Sequence, residues 1–189
     1  FSNRPSRSLL LSSSSESGGG HSPGQEFLTE VVRHWTQTDV LDRRWPTPSC
    51  SITYGAAGAA YALYRLARAT ENPELLAVAD QVCQFALHRA NDGGAYYNSA
   101  MGITPEVVGR LTFYHCDGGL HVTQALLCHA MGDLVGMERA VKAFCAVSER
   151  PCSNLDLTLG QSSVLIACTQ LLGVMPSGSL LSLDLLRSL

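Results

Sequence analysis

Three short segments of this chain share one pattern, and that pattern restricts the fold more than any other feature. They are YGAAGAAYAL (54–63), HCDGGLHVTQ (115–124) and LGQSSVLIAC (159–168). Aligned, they put Gly55, Cys116 and Gly160 in one column and Gly58, Gly119 and Ser163 in the column three residues on. Each segment is rich in small residues and leads into an apolar stretch. The spacings are 61 and 44 residues, room for one helical hairpin plus a loop. Small residues at a helix start let another backbone approach closely, or leave amide donors open. Repetition of such a unit predicts antiparallel hairpins in a curved array of inner and outer helices. Ordinary helix packing also accounts for Gly and Ala at these positions.

The rest of the chain reads as helix. Leu28, Val31, Val32 and Trp35 recur at helical spacing, and Trp45-Pro46-Thr47-Pro48 then breaks the chain. A helix is predicted over 51–69, with Gly55, Ala59, Ala62 and Leu66 on one face. Asn72-Pro73-Glu74 is a start signal: a capping Asn, Pro at the first helical position and an acid in the first turn. Leu75, Val78, Ala79, Val82, Cys83 and Ala86 supply the buried stripe of that helix, and Asn91-Asp92-Gly93-Gly94 stops it. Thr104-Pro105-Glu106 suggests a short helix, and longer ones are predicted at 119–132, 135–148 and 160–173. No alternating strand pattern stands out, so the expected class is all-α.

Residues 1–24 are too rich in Ser and Gly to bury a core and read as a disordered linker, which implies a further domain upstream. The leucine-rich stretch 173–189 is expected to fold back over the flank of the last hairpin. A net charge of −3 argues against nucleic acid as a partner. No apolar run reaches the roughly 18 residues of a membrane span. The seven cysteines are odd in number and include no CxxC pair. That pattern predicts reduced thiols and a cytoplasmic protein.

His115-Cys116, followed by His121 and His129, raises the question of a metal site. A structural zinc needs four well-placed ligands, and helix starts and apolar faces do not supply them. Asp117 is expected to help cap its helix, and His129 to be a core or lumen residue.

The segments SITYGAAGAAYALYRLA (51–67), ITPEVVGRLTFYHCDGGLHVTQALLCHAMGD (103–133) and NLDLTLGQSSVLIA (154–167) resemble the lanthionine synthetase C-like family. The likeness covers about residues 25–175 and is greatest to cyclase domains that follow a kinase-like domain in some lanthipeptide synthetases. It implies a partial α/α toroid over 25–189 and an upstream kinase-like domain. It also implies a peptide substrate or protein partner, and no role for nucleic acid or membrane. In that family a zinc ion held by two cysteines and a histidine activates a peptide thiol, which adds to a dehydrated Ser or Thr. The Cys-His-Gly motif tied to that zinc does not occur in these 189 residues. The resemblance therefore implies zinc in the intact family fold but none for this chain, which is expected to be inactive alone. Asp156 matches the family's aspartate ahead of an early Gly motif, and the resemblance implies a catalytic role in proton transfer or orientation. Read without the family, Asp156 is a capping acid near a helix start.

Cys116 and Ser163 depart from the family's Gly-x-x-Gly pattern. That leaves open a non-enzymatic helical scaffold that binds peptides or partners. A third alternative is an α/α-barrel carbohydrate-active enzyme, for which Asp92, Asp117 and Asp156 are the candidate acids.

Overall fold

The computed structural model describes residues 23–35 and 45–175. Of the disordered linker expected at 1–24, residues 1–22 lie outside the described residues, whereas Pro23 and Gly24 belong to the helix Pro23–Trp35; the leucine-rich residues 176–189 also lie outside the described residues. Within the described residues the chain is all-α. Its helices are α1 (Pro23–Trp35), α2 (Ala56–Thr70), α3 (Pro73–Arg89), α4 (Pro105–Val108), α5 (Asp117–Met131), α6 (Leu134–Ser148) and α7 (Ser162–Leu172). A 3-10 turn at Ser99–Met101 and one isolated bridge, Asn98 to Ile103, complete the regular structure. No helix among the described residues is long and apolar enough to cross a membrane.

The 61-residue repeat extends well beyond the small-residue columns, because α2–α3 and α5–α6 are the same hairpin in register. Helix α2 ends at Thr70 and α5 at Met131, while α3 begins at Pro73 and α6 at Leu134. Between them, Glu71 (φ 52°) and Gly132 (φ 77°) both take the left-handed conformation that closes a helix. Asn72 and Asp133 then cap α3 and α6. Asn72 Oδ1 accepts the Glu74 and Leu75 amides at 2.9 and 3.1 Å, and Asp133 Oδ1 accepts the Gly136 amide at 2.9 Å. The start signal at Asn72-Pro73-Glu74 was legible in sequence. Its counterpart at Asp133, without a proline, was not.

Helix α5 lies at the centre, in contact with α2, α3, α6 and α7. Nine of its fifteen residues are buried, among them Leu120, Val122, Leu126 and Leu127. Each such side chain removed from water stabilises the fold by about 1.5–3 kcal/mol. Helix α3 packs on both α2 and α5, and its predicted stripe is buried at Leu75, Ala79, Val82, Cys83 and Ala86, with Val78 half-buried. Helix α1 joins through a run of rings, Trp35 to Trp45 at 6.1 Å and Trp45 to Phe85 at 6.3 Å between centroids. Leu155 and Leu157 on the loop before α7 are 73% and 56% exposed, and Leu165 on α7 is 54% exposed.

Two sequence expectations need correction. Helix α2 starts at Ala56, not Ser51, because residues 51–55 form a turn in which the Ser51 hydroxyl accepts the Tyr54 amide at 3.1 Å. Its buried face is Ala56, Ala57, Ala60, Leu63, Tyr64 and Ala67; Ala62 is exposed, and Ala59 and Leu66 are half-buried. The stretch AAGAAYALY is apolar on every side, so its periodicity has no phase until a neighbour supplies one.

The starts of α2, α5 and α7 sit side by side at one end of the molecule. Thr53 donates its amide and its hydroxyl to the Tyr114 carbonyl at 3.0 and 3.1 Å. The Phe113 amide donates to the Ser163 hydroxyl at 3.0 Å, and that hydroxyl donates to the Gly160 carbonyl at 2.7 Å. Ser163 thus stands in a glycine column because its hydroxyl ties the second loop to the third helix.

The glycines of these columns are filled by backbone. A Cβ on Gly58 would overlap the Ile52 carbonyl oxygen, and one on Gly119 would overlap the Phe113 carbonyl oxygen and the Ile52 side chain. Gly58→Ala and Gly119→Ala are each expected to destabilise the protein by about 1–3 kcal/mol. Gly93→Ala, where nothing lies within 4 Å, is the neutral control. Denaturant melts of the three variants check this. Glu71→Gly, which relieves a left-handed side-chain residue, is expected to raise stability by about 1 kcal/mol in the same assay.

Candidate functional site

The candidate residues lie on or beside the loops that precede α2, α5 and α7. Each loop is closed by a polar side chain in one column. Ser51 Oγ accepts the Tyr54 amide at 3.1 Å, Thr112 Oγ1 accepts the His115 amide at 3.0 Å, and Asp156 Oδ1 accepts the Leu159 amide at 2.7 Å. Ser51, Thr112 and Asp156 occupy equivalent positions, four residues before Gly55, Cys116 and Gly160. All three satisfy the amide three residues on, which is the turn chemistry of short oxygen-bearing side chains.

Asp156 is exposed on the loop before α7. Besides Leu159, its Oδ1 accepts the amide and the hydroxyl of Thr158, both at 2.7 Å. The Thr158 hydroxyl, together with the Thr158 and Leu159 amides, holds the carboxyl below its ordinary range. It is therefore a carboxylate at neutral pH with its charge committed to its own turn. The column shared with Ser51 and Thr112 was hidden in the sequence by the differing residue types, since only the shared hydrogen bond makes them equivalent.

His115 and Cys116 point into different surroundings. The His115 ring stands 5.9 Å from the Tyr54 ring, its residue is buried, and its Nδ1 has no partner. Cys116 is the N-cap of α5 but makes no side-chain cap. Its thiol donates to the Gly109 carbonyl at 3.5 Å and lies 3.9 Å from the Tyr97 hydroxyl and 3.9 Å from Thr112 Oγ1. Burial pushes the Cys116 thiol up, with the Thr112 and Tyr97 contacts pulling weakly the other way. The thiol is thus protonated and a poor nucleophile at neutral pH. The thiols of Cys50, Cys83, Cys128 and Cys168 are also raised by burial, Cys168 to about 12. Among the described residues no three His, Cys, Asp or Glu side chains come together in a way that could hold a metal.

Asp117 does not cap α5 through its side chain. It forms a two-pronged pair with Arg150: Nη1 to Oδ1 and Nη2 to Oδ2, both at 2.7 Å. The Arg150 Nη1 also donates to the Arg110 carbonyl at 3.1 Å. Sequence spacing gave no hint of this pair, whose partners are 33 residues apart. Beside it opens a cleft of about 280 Å³, lined chiefly by Tyr96, Tyr97, Arg110, Cys116, Asp117 and Arg150. Tyr97 donates to the Gly109 carbonyl at 3.2 Å, whereas the Tyr96 hydroxyl is buried with no partner. Burial raises both phenols far above their ordinary range.

One turn into α5, His121 also carries a buried Nδ1 with no partner. Burial lowers its basicity, opposed by Asp117 and by a hydrogen bond with Gln124. His129, at the end of the same helix, is half-buried.

Comparison with protein-family models, with curated proteins and with solved structures finds no match to this chain.

The two histidines whose Nδ1 atoms are buried without a partner set a pH dependence. Both His115 and His121 have folded pKa values depressed below the unfolded value, so the unfolded state binds more protons as pH falls. Their neutral forms support the fold at and above neutral pH, and that support is lost as pH drops from about 7 to about 5. The midpoint of urea unfolding is expected to fall over this interval. The fall should be smaller in His121→Gln, whose side chain does not titrate.

Proposed function

We propose that this chain is part of a cytoplasmic lanthionine synthetase C-like cyclase domain, a partial α/α toroid that presents a peptide to thioether-forming chemistry. The observation that carries the reading is the threefold use of one loop-and-helix unit. The starts of α2, α5 and α7 stand side by side and are joined through Thr53, Tyr114, Phe113 and Ser163. An inner ring of helices with outer partners is what such a unit generates when it is repeated. The two outer helices, α3 and α6, follow their inner partners through matching turns.

The described residues do not fit the family's zinc. The Cys116 thiol is protonated and bonded to Gly109, His115 is stacked against Tyr54, and Asp117 is paired with Arg150. No step through a metal is assigned to them. What the chain contributes in this reading is the loop surface and Asp156, whose carboxylate stands exposed at the start of the third inner helix.

A second reading, a helical scaffold without catalysis, is favoured by one observation. The Asp156 carboxylate closes its loop as Ser51 and Thr112 close theirs, and neither of those is an acid.

Joining the chain to a Cys-His-Gly-bearing segment of the family separates the two. Cyclisation of a dehydrated peptide is followed as loss of alkylatable thiol. Asp156→Asn keeps the amide oxygen that closes the turn but removes the carboxylate. In the cyclase reading it is expected to slow cyclisation about 100-fold or more, with zinc content and melting temperature unchanged. A wild-type rate for Asp156→Asn leaves the scaffold role, and no cyclisation by the unsubstituted fusion overturns the cyclase reading. The 189-residue chain alone is expected to bind well under one zinc. One tightly held zinc, lost on Cys116→Ala or His121→Ala, would show a metal site at the start of α5.

A further inference from the structure

The exposed side of α7 is the side on which α2 and α5 carry their partner helices. With Gly55, Cys116 and Gly160 as one column, Leu165, Thr169 and Leu172 of α7 stand where α2 has Ala60, Tyr64 and Ala67. The three α2 residues are buried. On α7, Leu165 and Thr169 are exposed and Leu172 is half-buried. In the second repeat the same side looks at α6. A Cβ on Gly118 would meet the Val147 and Phe144 side chains, and one on Gly136 would meet the Cys128 thiol. Gly118 and Cys128 share their columns with Ser162 and Leu172. Helix α2 thus packs on α3, and α5 on α6, through a side that α7 leaves open. Among the described residues α7 packs chiefly on α5, and its buried residues Val164, Ala167 and Leu171 lie on its other side.

The chain itself supplies an occupant. Met175 is buried and its amide donates to the Leu171 carbonyl at 3.1 Å, so the end of α7 is held against its neighbours. Residues 176–189, outside the described residues, follow at the end of α7 that corresponds to the turns from α2 to α3 and from α5 to α6. Ser177 falls in the column of Asn72 and Asp133, whose side chains cap α3 and α6, and serine offers the same capping oxygen. Six of the ten residues 180–189 are leucine, so the stretch offers apolar surface whichever side it turns to α7. It is also long enough to run the length of the eleven-residue α7.

We propose that residues 176–189 dock along the Leu165, Thr169 and Leu172 side of α7, in the seat that α3 takes on α2 and α6 on α5. The inference needs only the repeat and does not rest on the cyclase reading. Removing Leu165 and Leu172 from water drives the docking. Thr169 adds no penalty, because its hydroxyl already donates to the Ile166 carbonyl at 2.7 Å. The covalent link gives the segment a high effective concentration, which favours it over a second copy of the chain.

NMR of the 189-residue chain with labelled leucine methyls tests this. Cross-peaks between the methyls of Leu165 or Leu172 and those of the leucines at 180–189 are the expected result. An isotope-filtered spectrum of labelled and unlabelled chains mixed, which sees only contacts between molecules, should lack them. Amide exchange is the second readout. Leu165→Ser, at an exposed position, is expected to speed exchange across 180–189 about tenfold, the loss of most of one leucine's burial. Leu134→Ser on α6, which is 68% exposed, should leave that exchange unchanged. If Leu165→Ser does not fold, the double variant Leu181→Ser, Leu185→Ser is read in its place with the same expected tenfold change. Absence of the cross-peaks, or exchange across 180–189 that none of these variants alters, overturns the proposal. Cross-peaks that appear in the filtered spectrum also overturn it, and give the seat to a second copy.

Discussion

The close approach of a loop carbonyl to a residue without a side chain organises this molecule. It is made in the first column by Ser49 against Gly55 and Asn154 against Gly160, and in the second by Ile52 against Gly58 and Phe113 against Gly119, each spanning six residues. It folds the chain back over the start of the helix that follows. That fixes the direction in which α2, α5 and α7 leave their loops. It also puts the loops within hydrogen-bonding reach of one another, so the Tyr114 carbonyl meets Thr53 and the Phe113 amide meets Ser163. The hairpins then pack through their apolar faces, with α5 receiving contacts on four sides.

Repetition makes the exceptions informative. Where a column holds glycine, the loop closes; where it holds Cys116, the loop stands off and Arg150 bridges the gap between the Arg110 carbonyl and the Asp117 carboxylate. Where the second column holds Ser163, the hydroxyl takes up an amide of the neighbouring loop. A departure from a repeat is thus read by what its extra atoms touch. The Cys116 thiol donates to the Gly109 carbonyl of its own loop, whereas the Ser163 hydroxyl joins the second loop to the third.

The same comparison weighs on Asp156. Its carboxylate does what a serine and a threonine do in the other two loops, so the fold alone explains an oxygen at that position. The negative charge is what the fold leaves unexplained. The carboxylate is exposed rather than buried, and its pKa is lowered by donors within its own turn.

Helical content, the start of α3 at Asn72-Pro73-Glu74, and the small-residue columns were legible in the sequence because each depends on residues within a turn or two of chain. Local chemistry determines such features: a capping oxygen, a proline's fixed φ, a missing Cβ. The buried face of α2 was not legible, since an alanine-rich helix offers no contrast between its sides. Nor was the pairing of Asp117 with Arg150, the orphaned hydroxyl of Tyr96, or the equivalence of Ser51, Thr112 and Asp156. Each depends on which distant backbone arrives next to the residue. The sequence by itself determined that this chain makes helices and where several of them begin. Only the tertiary structure decided which loop closes and which stands open, because one Cβ acts there against a carbonyl that packing has brought into place.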